Sequence, residues 1–107
     1  GELTEEVNNG GFDQYFFNSA GNYADDALWC LHTIGAETTA SILERAMAQF
    51  PGGQVPDLRH DRQAVMDALP DTVQEVWDAL DQAFYLSPDD LDALLTAFVR
   101  ANEREFR

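Results

Sequence analysis

The sequence predicts an all-α fold. Apolar residues recur at three- and four-residue intervals almost throughout, and no strand-like alternation persists beyond a few residues. The interruptions fall at Gly, Pro and Asn clusters, the residues that end helices. The 107 residues are 45% hydrophobic and show no internal repeat and no long linker. A chain of this length suits a single compact domain of about six or seven helices, able to bury roughly 65% of the surface its unfolded form exposes.

Residues 3–8 read as the end of a helix stopped by Asn9-Gly10-Gly11, followed by a short aromatic helix from Phe12 to Asn18. Ser19-Ala20-Gly21 closes it. Asn22 and Asp25 have capping-box spacing and predict a helix over roughly 23–34, with Ala24, Ala27, Leu28, Leu31 and Ile34 on one face. Gly35 is placed to end that helix in the left-handed conformation. The next helix spans about 37–50, with the stripe Thr39, Ile42, Leu43, Ala46, Met47 and Phe50. Pro51-Gly52-Gly53 breaks it, and residues 51–58 form a loop.

A helix near 60–69 carries Val65, Met66 and Leu69 and stops at Pro70. Residues 71–86 place Val73, Val76, Trp77, Leu80, Ala83 and Phe84 within about 120° of helix surface. Ser87-Pro88-Asp89-Asp90 is a start signal, with Ser at the cap and Pro at the first position. The last helix, about 88–104, is expected to bury Leu91, Leu94, Leu95 and Phe98.

Twenty acidic residues against six basic ones, all six of them Arg, leave a net charge of −14. Such a chain repels nucleic-acid phosphates and anionic membranes, so neither is an expected direct partner. One cysteine excludes an internal disulfide and fits a reducing cytosol. No apolar run approaches the ~20 residues of a membrane span, and no signal peptide is visible, although the start at Gly1 without Met leaves the preceding segment open.

Little chemistry is visible. His32 and His60 lack HExxH-type spacing, Cys30 and His32 diverge on their helix, and no nucleophile elbow, phosphate loop or EF-hand is present. His32 reads as a half-buried helix residue. The reading is non-catalytic, with no cofactor and no metal.

The run Asn9-Gly10-Gly11-Phe12-Asp13-Gln14-Tyr15-Phe16-Phe17-Asn18-Ser19 is compositionally unusual. As structure, it is a helix–helix corner in which glycines permit positive φ and Phe12, Phe16 and some of Tyr15 and Phe17 fill the core. Asn9, Gln14 and Asn18 would then satisfy backbone groups. As function, it is a small pocket lined by aromatics and amides. With Ile34-Gly35-Ala36 and Phe50-Pro51, residues 9–21 resemble a small acidic bacterial family that carries a domain of unknown function and includes a neisserial DNA-mimic protein. The resemblance implies an all-helical protein, often a homodimer. It also implies carboxylates standing in for DNA phosphates on the DNA-binding surface of a helix-turn-helix transcription factor. Because the chain begins almost at the motif, a helix that precedes it in relatives is expected to be missing from this sequence.

The charge is clustered as such a role requires. Residues 1–35 hold six acids and no base, and residues 57–92 hold ten acids and two arginines, while the rest is nearly neutral. Asp71, Glu75 and Asp78 fall within about 60° of one another on their helix, with Asp81 about 60° further round. Asp67 precedes this row, and Asp89 and Asp92 extend it. These seven acids are the expected partner-binding residues, and the expected partner is a basic DNA-binding protein. Three alternatives stand beside this: helix-dipole compensation by Asp25, Asp71, Asp89 and Asp90, halophile-type acidity without mimicry, and an interaction or immunity module using the aromatic corner.

Overall fold

The computed structural model describes residues 2–102. They form six α-helices: α1 Glu2–Phe17, α2 Ala24–Thr33, α3 Glu37–Met47, α4 Arg59–Asp67, α5 Thr72–Tyr85 and α6 Leu91–Ala101. Short 3-10 turns at Ser19–Tyr23 and Pro51–Gly53 join α1 to α2 and follow α3. No strand occurs among the described residues, and no helix among them is long and apolar enough to cross a membrane.

The expected break in α1 is a kink at Gly11, whose φ of 76° lies in the left-handed region. Past it, Phe12, Tyr15 and Phe16 turn inward and are buried. Phe16 meets Phe50 at 5.0 Å and Trp77 at 5.3 Å between ring centroids, and Phe84 stands edge-on to Phe12 at 5.9 Å. These rings join α1, α5 and the end of α3 into one core. Burying the Trp77 indole leaves its N–H needing an acceptor, and Nε1 donates to the Ala46 carbonyl at 3.0 Å. The aromatic corner is therefore core at Phe12, Tyr15 and Phe16, while Phe17 is exposed.

The C-terminus of α2 follows the sequence closely. Gly35 has φ 83°, its N–H bonds the His32 carbonyl, and the Ala36 N–H bonds the Leu31 carbonyl at 2.8 Å, the two bonds of a Schellman motif. The stripe of α3 is buried as expected, from Thr39 to Phe50.

Four expectations need correction. The Asn22 capping box does not form: the 3-10 turn runs straight into α2, Tyr23 takes the cap position, and Asn22 Oδ1 is buried with no hydrogen-bond partner among the described residues. The helix expected from Pro88 begins at Leu91, because Ser87 and Asp89 are spent on Thr39 and Asp90 caps α6 by accepting the Ala93 N–H at 3.0 Å. The expected burial on α6 also fails. Leu91, Leu94 and Phe98 are half-buried and Leu95 is 51% exposed, since no element among the described residues covers the outer part of that apolar face. Periodicity identifies an apolar face without saying whether anything packs on it. Residues 103 and 104, assigned to this helix from sequence, lie outside the described residues. Finally, His32 is exposed rather than half-buried, and its Nδ1 contacts Glu37 Oε2 at 2.9 Å.

Candidate partner-binding surface

Helix α5 is amphipathic in a way that separates core from charge. Val73, Trp77, Leu80 and Phe84 are buried, whereas Asp71, Glu75 and Asp78 are exposed. At 100° per residue the acidic row is centred roughly 160° from the buried row, so core packing itself holds the carboxylates outward. Asp71 takes the cap position of α5 but makes no side-chain capping bond. Its charge is not absorbed by the helix end through hydrogen bonding. Asp78 accepts one neutral hydrogen bond, from Gln74 Nε2 at 2.8 Å.

Nothing cationic pairs with this row among the described residues, where the one contact within 4 Å between a basic side chain and a carboxylate is His32–Glu37. The arginines of α4 are spent elsewhere. Arg59 Nε donates to the Phe17 carbonyl at 3.2 Å. Arg62 is fully buried, and its guanidinium donates to the carbonyls of Phe16, Asn18, Pro56 and Asp57. Burial pushes the Arg62 pKa down. It also pushes the neighbouring Tyr15 hydroxyl up to about 12, against the opposing pull of Arg62.

The seven candidate acids divide by environment. Asp67, the last residue of α4, is exposed, as are Asp71, Glu75 and Asp78. Asp81 is half-buried, only about 40° from Trp77 around α5. Its Oδ1 accepts the Phe12 N–H at 2.8 Å, the first donor past the Gly11 kink. Burial raises the Asp81 pKa, the Phe12 bond opposes this, and the charges of Asp78 and Asp13 add to the rise. Asp89 Oδ2 accepts from both the N–H and the hydroxyl of Thr39, at 2.8 and 3.0 Å. Thr39 is the third residue of α3, so Asp89 serves as that helix's N-terminal cap from a distant segment. Asp92 is exposed in the first turn of α6, beside a groove shared with α1 and α2. The structure thus gathers Asp71, Glu75 and Asp78 on one face, and directs Asp81 and Asp89 to backbone donors.

The motif residues also sort by role. Gly11 touches the Asp81 carboxylate, and a Cβ there would collide with it. Gln14 Nε2 and Asn18 Nδ2 both donate to Glu6 Oε2, at 2.7 and 3.1 Å, instead of bonding backbone groups as expected. Asn9 and Gly10 are exposed, and a Cβ on Gly10 would meet the Gln14 side chain.

Arg62 is the residue that sequence reasoning missed. A signal existed: Arg62 falls in register with Val65, Met66 and Leu69, so a charged side chain occupied an inward position of α4.

Residues 1–102 match the family described as DMP19-like protein. No curated protein and no solved structure matches the chain. With the match spanning nearly the whole sequence, the chain belongs to the DMP19-like protein family, a family of DNA-mimic domains.

Proposed function

We propose that this protein binds a basic DNA-binding protein, of the helix-turn-helix regulator type, by presenting carboxylates where that partner expects DNA phosphates. The observation carrying the proposal is the exposed row Asp71, Glu75 and Asp78 on α5, with which no cation pairs among the described residues. Asp67 at the end of α4, four residues before Asp71 in sequence, is a candidate extension.

Successive carboxylates of the row advance about 6 and then 4.5 Å along the helix axis. A single DNA strand presents one charge per ~3.4 Å of axis, so the row offers a comparable, sparser line of charge. The partner's arginines and lysines would meet carboxylates already held outward by the packing of Trp77 and Leu80. Sequestration needs no chemical step and no cofactor. Competition with DNA follows because both ligands use the same cations.

Asp71 and Glu75 are like charges at i,i+4, an arrangement that costs a helix about 0.2–0.5 kcal/mol. Asp67 sits at a helix C-terminus, the wrong end for a carboxylate in the helix dipole. The Asp67 placement does not help folding, and the Asp71–Glu75 repulsion offsets part of what those two charges gain at the N-terminus of α5, which leaves a role in binding to account for the cluster. The corner reading loses support because Phe12, Tyr15 and Phe16 face the core.

The charge-reversed variant D71K/E75K/D78K tests the proposal. A DNA-binding regulator recovered by pull-down on the wild-type protein should bind it at low salt and lose at least about tenfold in affinity for the variant, a difference of ~1.4 kcal/mol. Equal affinity for both proteins would refute it.

A further inference from the structure

A groove of about 840 Å³ lies between α1, α2 and α6, away from the acidic row of α5. Its walls include Leu3, Leu31, Ile34 and Leu95, and its rim carries Glu2, Glu5, Asp26 and Asp92. No Arg, Lys or His lines it among the described residues. The apolar face of α6 continues past the groove to Val99, which is 45% exposed, as Leu95 is 51% exposed.

We propose that this groove docks an amphipathic helix whose polar flanks carry lysine or arginine, supplied by a partner protein. The surface has two requirements, and this ligand meets both. The leucine and isoleucine walls reward apolar side chains, which a merely cationic ligand lacks. The acidic rim rewards positive charge on either side of them and repels an acidic helix. A second copy of this chain fits less well, because its own α6 brings Asp90 and Asp92 beside the apolar face at one end against the single Arg100 at the other. An anionic membrane surface is repelled by the same rim.

Length supports a helix. The wall formed by α2 and its two flanking residues runs from Tyr23 to Ile34, which is about 16 Å at 1.5 Å per residue, or three turns of bound helix. Laying an apolar face into such a groove is a recurring recognition mode, read as anchors at i, i+3 or i+4, and i+7. So short a helix is marginal alone in water and would order on docking. This site does not depend on the α5 row, and either can be wrong without the other.

Cys30 is the chain's one cysteine, is exposed, and lines the groove, so its alkylation rate reports occupancy. The probe is a Leu/Lys amphipathic peptide of about 14 residues, long enough for the three turns. At saturation it should slow Cys30 alkylation at least about tenfold. A scrambled peptide of the same composition and a Leu/Glu amphipathic peptide should leave the rate unchanged. Leu95→Glu and Asp26→Lys, both at exposed positions, should retain wild-type helicity and abolish protection, while D71K/E75K/D78K should keep it. Equal protection by the scrambled peptide would overturn the proposal by showing charge attraction alone. Loss of protection in D71K/E75K/D78K would overturn it by showing binding at the α5 row. Protection that rises with protein concentration without peptide, and is lost in L95E, would overturn it in favour of a second copy.

Discussion

The Asp81 carboxylate accepts the backbone N–H of Phe12 at 2.8 Å while resting against Gly11. One turn further along α5, the Tyr85 hydroxyl donates to the Val7 carbonyl at 3.0 Å. Two side chains of α5, four residues apart on one face, therefore hold the kink of α1 on both sides. The helix that displays the acidic row also fixes the corner on which the aromatic core is built.

Asp81 should behave as a structural acid with an ionisation cost. Its folded pKa is raised, so its contribution to stability is fully present below the unfolded pKa and is lost as pH rises through the folded one. Asp81→Asn keeps an acceptor for the Phe12 N–H and removes the ionisation. Its stability relative to wild type should therefore increase between about pH 3 and pH 7, a range that crosses the ordinary Asp pKa. Asp81→Ala should cost about 0.5–2 kcal/mol, the range for a lost N-cap. Urea unfolding at the two pH values measures both, and a D81N variant that loses ground on going to pH 7 would contradict this.

Arg62 should be the most sensitive charged position. Its guanidinium bridges carbonyls at the C-terminal end of α1 and in the segment leading into α4. Arg62→Ala leaves buried acceptors unpaired and should cost about 3–5 kcal/mol in urea unfolding. Lysine, with one point charge and no planar fork, should recover less than half of that loss.

Thr39 and Asp89 tie the lead-in of α6 to the start of α3. Asp89→Ala should cost about 1 kcal/mol, the typical worth of an N-cap. Amide exchange should rise across residues 91–101, whose helix has no fully buried side chain, with little change in the α5 core.

The acidic row should matter more for binding than for folding. D71N/E75Q/D78N removes about 0.2–0.5 kcal/mol of like-charge repulsion but also the favourable charges of Asp71 and Glu75 at the N-terminus of α5, so stability should stay within about 1 kcal/mol of wild type while partner affinity falls. Added salt should stabilise wild type more than this variant, and folding should need no molar salt. A wild-type chain that melts cooperatively only at molar salt would favour the halophile alternative.

Locally encoded features were legible from sequence. Gly11 and Gly35 interrupt apolar periodicity, and both take positive φ where the breaks were expected. The outward row of α5 followed from its spacing against Val73 and Trp77. What stayed hidden depends on residues far apart in the chain. Asp81 and Asp89 read as surface charge because Phe12 and Thr39, their partners, lie 69 and 50 positions away. The α6 stripe read as buried because amphipathicity does not reveal a missing neighbour. The Ser87-Pro88 start signal was displaced because a tertiary hydrogen bond to Thr39 claimed Ser87 first.

The central claim is that the α5 row takes the place of DNA. The direct measurement is fluorescence anisotropy of a labelled operator bound to the captured regulator, followed as this protein is added. Release of the operator to the free-DNA value, with an apparent affinity that falls steeply as salt rises, is the predicted result. A ternary complex in which operator and protein stay bound together, or displacement as efficient by D71K/E75K/D78K as by wild type, would contradict it.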